Sequence, residues 1–161
     1  MAEEFKARLD YTKHAHEALR SLYALERYLH DSGIDIKLLH VLKLRASQIN
    51  GCALCIDMHW KDARAAGETE QRLYGLNAWR ESPYYTEKER AALEWAEAVT
   101  LVSETHVPDE VYERVRAQYS EKEIVDLTLA VGMINLWNRI AISFRAEPGL
   151  YQPKQASAAA S

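Results

Sequence analysis

Apolar residues recur at the spacing of α-helices along almost the whole chain. Alanine and leucine stand every three or four positions from Tyr11 to Leu29, which predicts a first helix. Asp35 is a suitable N-cap for a second helix, which Asn50-Gly51 closes. A third helix is predicted from Cys52 to Gly67 and a fourth from about Glu68 to Arg80. None of these segments shows the alternating apolar and polar pattern of a β-strand.

Two capping boxes mark helix starts in the second half of the chain. Thr86-Glu87-Lys88-Glu89 opens a fifth helix that runs through Val99, and Ser120-Glu121-Lys122-Glu123 opens a last helix that runs to about Phe144. Between them, Pro108-Asp109-Glu110 starts a short sixth helix. The pattern therefore predicts an all-α fold of about seven helices. Because apolar residues cover more than one face of the last helix, we expect it at the centre of the core, at an oligomer interface, or at both.

Length and composition indicate one globular domain. The chain has 161 residues, of which 48% are hydrophobic and 27% are charged, so it is long enough to bury a core. We assign residues 1–151 to a single domain. Residues 152–161 lack periodicity, and we expect them to form a disordered tail.

Charge and hydropathy indicate which classes of partner and which cell compartment to expect. A net charge of −4 without a lysine- or arginine-rich block argues against a nucleic-acid partner. No run approaches the roughly 18 consecutive apolar residues of a transmembrane helix. The N-terminus lacks the basic start and apolar stretch of a signal peptide. We therefore expect a cytoplasmic protein that does not bind a membrane.

The chain has only two cysteines, Cys52 and Cys55. A structural disulfide framework is not expected in a reducing cytosol, where a Cys-x-x-Cys pair is more typical of redox or metal chemistry. Each residue of a helix turns by about 100°, so Cys52, Cys55 and His59 project from one face within roughly 60°. Asn50-Gly51 breaks the preceding helix, which places Cys52 at or near an N-cap. The start of a helix favours a thiolate, and His59 can take the thiol proton.

This arrangement predicts a dithiol that reduces hydroperoxides. One thiolate attacks the peroxide and becomes a sulfenic acid, and the other condenses with it to a disulfide and releases water. An external dithiol must then reduce the disulfide. No bound cofactor is needed for this cycle.

Three other interpretations of the cysteine pair compete with this one. Cys52, Cys55, His59 and His40 have the ligand types of a Cys2His2 zinc site, provided that His40 faces the site across the helix break. A thioredoxin-type protein is set aside because no βαβ pattern surrounds the motif. Two inert buried cysteines are the third interpretation, against which the shared face and the helix start both argue.

The segment from Leu44 to His59 closely resembles the core of the alkylhydroperoxidase D-like proteins of the carboxymuconolactone decarboxylase superfamily. The match continues through residues 61–67, 73–82 and 134–139, and the Cys-x-x-Cys-x-x-x-His core after an Asn-Gly break is its specific signal. The resemblance implies an all-helical homo-oligomer, commonly a trimer or hexamer. It also implies peroxidase activity that is recharged by a dithiol partner, such as a lipoyl-bearing protein.

The resemblance also assigns roles to the site residues. It implies that Cys55 is the peroxide-reactive thiol, Cys52 the resolving thiol and His59 the proton relay. The family pattern has a glutamate twelve residues before the first cysteine and a histidine between the cysteines, where this chain has His40 and Leu54. Glutamate would orient His59 and raise its basicity, whereas neutral His40 could only hydrogen-bond to it. We therefore expect a modified relay in which His40 is a second member.

Two further points stay open at the level of sequence. Trp137, Asn138 and Arg139 lie on the last helix, either in structural packing at a subunit contact or at the border of the pocket. The alternatives to a peroxidase are a general disulfide reductase and a non-catalytic oligomer that binds a metal or another ligand on the same scaffold.

Overall fold

The computed structural model describes residues 5–153, and within this range the regular structure is entirely helical. This confirms the predicted all-α class. The α-helices are α1 His16–His30, α2 Ile36–Asn50, α3 Ala53–Ala65, α4 Glu70–Tyr74, α5 Glu87–Thr100, α6 Val102–Thr105, α7 Asp109–Arg116 and α8 Glu121–Phe144. Two 3-10 helices span Tyr11–Lys13 and Leu76–Ala78. The predicted disordered tail lies outside the described residues, apart from Gln152 and Pro153.

Helix starts that carry a side-chain cap match the sequence prediction. Asp35 caps α2 by accepting from the backbone N–H of Leu38. Complete capping boxes open α5 at Thr86 and α8 at Ser120. Each such cap is worth about 1 kcal/mol. These boundaries are set locally, which is why the sequence alone predicts them.

The first and fourth predicted helices are wrong in extent. The first is interrupted because Ala15 adopts a left-handed conformation at φ 50°, so that a 3-10 turn precedes α1. The fourth ends at Gly75, and Leu76–Ala78 continues as a separate 3-10 helix. Glycine is a weak helix former, which favours a break at that point. The short α6 was not predicted, and it raises the number of described α-helices from about seven to eight.

The core is built around α2, which packs against α3, α5 and α8. Helices α2, α5 and α8 each contribute fully buried leucines to this core, among them Leu39, Leu42, Leu93 and Leu127. Burying one such side chain stabilises the fold by about 1.5–3 kcal/mol. The first residues of α3 are therefore held against a rigid helical layer.

Helix α8 has one buried and one exposed apolar face. Leu127, Val131 and Ile134 are buried, whereas Val125 and Leu136 are exposed. By length and composition alone, α8 is the one helix among the described residues that could cross a membrane. It nevertheless packs against α2 and α5, as the central helix of a globular core does.

Candidate redox site

The turn between α2 and α3 sets the position of the cysteines. Gly51 ends α2 at φ 71°, a left-handed conformation that glycine adopts without strain. Cys52 is the N-cap of α3, and its Sγ atom accepts from the backbone N–H of Cys55 at 3.3 Å. Cys55 thus lies in the first turn of the helix, as the sequence predicts.

Cys52 and Cys55 are joined by a disulfide bond. They are 1% and 4% exposed and pack against Ala46, Ile134 and Ala141. The pair therefore lies under α8, in a small apolar cluster of its own. A reagent must reach the sulfur atoms through this covering layer.

An amide network fastens the turn to α8. Asn50 donates from Nδ2 to Oδ1 of Asn135 at 2.9 Å and to Oδ1 of Asn138 at 2.8 Å. Asn138 is fully buried and donates to the Ser47 hydroxyl at 3.0 Å. Arg139 donates to the backbone oxygen of Asn135 at 2.9 Å. The structure thus places Asn138 and Arg139 in contacts that fix the turn.

His59 lies on α3 and His40 on α2, and the fold brings their rings together. The ring centroids are 6.2 Å apart with an interplanar angle of 29°. The Nδ1 atoms of both rings are buried, and neither has a hydrogen-bond partner within residues 5–153. The two imidazole rings thus lie close together, and each has a buried ring nitrogen without a hydrogen-bond partner in the described part of the chain.

Burial keeps both imidazoles neutral. It lowers the pKa of His40 to about 4, and the nearby Lys43 ammonium lowers it in the same direction. Burial also lowers the pKa of His59 well below its ordinary value, again with Lys43 contributing. Lys43 is itself buried and forms an ion pair with Glu26. A neutral His59 can accept a proton, although with reduced basicity.

Asp62 is the third member of this histidine cluster, and the sequence interpretation gave it no role. Its Oδ2 atom lies 3.7 Å from Nδ1 of His59. Its Oδ1 atom accepts from the Tyr151 hydroxyl at 2.6 Å. Burial raises the pKa of Asp62, an effect that the Tyr151 hydrogen bond opposes. The spacing of three residues from His59 could have indicated Asp62, whereas no local pattern indicates Tyr151.

The C-terminal segment that carries Tyr151 is anchored on α3. Lys61 donates from Nζ to the backbone oxygens of Gly149 at 3.2 Å and Tyr151 at 3.0 Å. The Gly149 backbone N–H donates to Oδ2 of Asp57 at 3.2 Å. These contacts hold the Tyr151 hydroxyl against Asp62.

The Cys2His2 ligand set, which was an alternative interpretation of the sequence, is not the cluster that the fold forms. The cysteines are bonded to each other. The potential metal ligands whose donor atoms all lie within 4.8 Å of one another are His40, His59 and Asp62. The Asp62 carboxylate, and not the thiols, thus completes the ligand cluster with the two histidines.

An all-helical domain with a Cys-x-x-Cys disulfide at a helix start and a histidine one turn later is the arrangement that the resemblance to the alkylhydroperoxidase D-like proteins implies. The model of the carboxymuconolactone decarboxylase family matches residues 14–98, more than half of the chain. The chain belongs to this family.

Similar proteins agree with this assignment. The Bacillus subtilis protein YdfG is 48% identical over 136 residues, which cover 84% of this chain and 92% of YdfG. A solved structure from Agrobacterium tumefaciens carries the name Putative Antioxidant Defence Protein AhpD. It is 49% identical to this chain with a TM-score of 0.87, and the match covers 91% of this chain and 100% of that one. An alkylhydroperoxidase AhpD core from Ralstonia eutropha shares the fold at 19% identity, with a TM-score of 0.76 over 86% of this chain and 74% of that one.

Proposed function

We propose that the protein is a thiol-dependent hydroperoxide reductase. The observation that carries the proposal is the Cys52–Cys55 disulfide at the start of α3, with neutral His59 four residues further along the helix. The name of the Agrobacterium relative points in the same direction.

The reaction starts from the reduced pair. The Cys55 thiolate attacks the distal oxygen of the hydroperoxide, the O–O bond breaks, and the alcohol leaves with one proton. Cys55 becomes a sulfenic acid. The Cys52 sulfur then attacks the Cys55 sulfur, the S–O bond breaks, and water leaves with the second proton. In sum, one hydroperoxide and two thiols give one alcohol, one water and one disulfide.

His59 acts as the base that takes the Cys55 proton and returns it to the leaving alkoxide. Asp62 takes the orienting role that a glutamate has in the resembling proteins, since it lies 3.7 Å from the His59 ring. His40, whose ring centroid is 6.2 Å from that of His59, is the second relay member. The relay thus keeps its base and changes the groups around it.

The cycle closes when an external dithiol reduces the Cys52–Cys55 disulfide. A small dithiol such as a lipoyl group suits this step because the pair is almost fully buried under α8. We place the reaction in the cytoplasm, where reduced dithiol carriers are available. The exposed apolar face of α8, with Val125, Leu129 and Leu136, supports a homo-oligomer such as a trimer or hexamer.

The test is a single turnover of prereduced protein with tert-butyl hydroperoxide. Wild type should consume one equivalent and lose two free thiols. Cys52→Ser should consume one equivalent and stop as a sulfenic acid that gains one oxygen atom by mass spectrometry. Cys55→Ser should not react. Both variants replace a cysteine with serine at positions three residues apart, so a difference between them shows which thiol reacts with peroxide and which resolves the sulfenic acid.

Two outcomes would contradict the proposal. Equal first-turnover rates in the two variants would contradict the assignment of Cys55 as the peroxide-reactive thiol. A wild-type protein that is inert to peroxide but is reduced rapidly by dihydrolipoamide would identify a general disulfide reductase instead.

A further inference from the structure

Three side chains on α2 and α3 have donor atoms that converge. His40 comes from α2, and His59 and Asp62 come from successive turns of α3. Their donor atoms all lie within 4.8 Å of one another, and Nδ1 of His59 is 3.7 Å from Oδ2 of Asp62. Ligand atoms around a tetrahedral zinc ion are about 3.3 Å apart, so small side-chain rotations suffice to close the set. Two packed helices hold all three residues.

The histidine nitrogens have no competing use in the fold. Three side-chain nitrogen or oxygen atoms within residues 5–153 are buried without a hydrogen-bond partner, and two of them are Nδ1 of His40 and Nδ1 of His59. A buried polar atom without a partner destabilises the fold, because it has lost its hydrogen bonds to water and gained none in return. Two such atoms on rings whose centroids are 6.2 Å apart indicate a ligand that pairs with both.

The carboxylate already has the outer support that metal ligands require. Oδ1 of Asp62 accepts from Tyr151 at 2.6 Å, which leaves Oδ2 directed at His59. Hydrogen bonds to the far atom of a ligand fix its orientation and typically account for a 10–100-fold change in affinity. Tyr151 is held in turn by Lys61. The site thus has a first layer of ligands and a second layer that orients them.

The residue types also suit zinc. Histidine nitrogens and aspartate oxygens are ordinary zinc ligands, and sites with three protein ligands keep a fourth position for water.

We propose that His40, His59 and Asp62 bind one zinc ion, with the fourth position open to water. The cysteines take no part, so the site exists in the disulfide form. Zinc bound to His59 would lower the basicity of its ring, so the metal-loaded protein would react more slowly with peroxide. That last consequence rests on the proposed function, whereas the binding does not.

The test measures zinc directly on the full chain with its disulfide intact. Chelator-treated protein receives an excess of ZnCl2, is dialysed, and is analysed for metal per chain, with far-UV circular dichroism to verify folding. Wild type should retain one zinc ion, and His40→Gln and Asp62→Asn should each weaken binding at least 100-fold. The matched controls His30→Gln and Asp31→Asn alter exposed residues and should bind like wild type.

A second set of variants separates this site from a thiolate site. Cys52→Ser/Cys55→Ser should retain the zinc, and Tyr151→Phe should bind about 10-fold more weakly, whereas Tyr74→Phe at an exposed position should not change. Loss of zinc in the double cysteine variant, or full binding in both His40→Gln and Asp62→Asn, would overturn the proposal. Because no peroxide is present, the result is independent of whether the protein is a peroxidase.

Discussion

Two largely buried polar clusters, around Glu97 and around His59, have similar exposure but differ in how many hydrogen bonds they form. Glu97 on α5 is 16% exposed, and its carboxylate accepts from Arg45, Trp79 and Arg80, each at 2.8 Å. His59 on α3 is 12% exposed, and its Nδ1 atom has no partner in the described part of the chain. The first cluster is saturated and the second is open. Burial alone therefore does not distinguish structural from chemical roles, whereas the supply of partners does.

The pKa directions express the same difference. Burial would raise the pKa of Glu97, but hydrogen bonds from Trp79, Arg45 and Arg80 together lower it. Burial lowers the pKa of His59, and the neighbouring Lys43 lowers it further. The charged form is thus stabilised at Glu97 and avoided at His59. A group left neutral and without partners is available to a substrate proton or to a metal.

The largest effect is expected at the open cluster. His59→Gln removes the base but keeps a polar side chain, so the rate of Cys55 oxidation by peroxide should fall roughly 10²–10⁴-fold. The melting temperature should change little because Nδ1 of His59 has no partner to lose. Stopped-flow kinetics of the reduced protein measures the rate, and His30→Gln serves as the exposed control. An unchanged rate would remove His59 from the relay.

The saturated cluster should respond in the opposite way. Glu97→Ala leaves the donors of Arg45 and Trp79 without an acceptor, so the free energy of unfolding should fall by about 2 kcal/mol. The rate of peroxide reduction should stay within about twofold of wild type, since no relay group contacts Glu97. Urea titration measures the loss, with exposed Glu104→Ala as the control. A large kinetic defect with normal stability would show that the two clusters are not separate.

A smaller effect is expected in the pH dependence of the stability that the charge on Glu97 provides. Because the folded protein lowers the pKa of this group below its ordinary value of 4.5, its charge stabilises the fold above that pH. The contribution is lost as the pH falls through the lowered pKa of the folded state. The difference in unfolding free energy between wild type and Glu97→Gln should therefore be full at pH 7 and shrink below about pH 4.5. Urea titrations at several pH values test this, and a difference that grows in acid would contradict it.

The parts of the fold that the sequence predicts are those that neighbours along the chain determine. The capping boxes at Thr86 and Ser120 and the N-cap at Asp35 each involve residues three positions apart. The break at Ala15 has no such local signature. A left-handed alanine is held by the rest of the fold rather than by its own preference.

The candidate site divides in the same way. Cys52, Cys55 and His59 share one helix, so their common face follows from helical spacing. That His40 stands beside His59 depends on how α2 packs on α3, and the resemblance supplied it as an expectation. Asp62 was within reach of the same helical argument. Tyr151 was not, because its partner lies 89 residues away.

This long separation gives the site an order of assembly during synthesis. Chains emerge from the N-terminus, and the α2–α3 pair with its thiols and histidines is complete by residue 65. The α8 layer that covers Cys52 and Cys55 and the Tyr151 hydroxyl that orients Asp62 are made later. The thiols therefore exist uncovered on the nascent chain, and the chain gains its enclosed dithiol pocket only when its C-terminal segment has been synthesised.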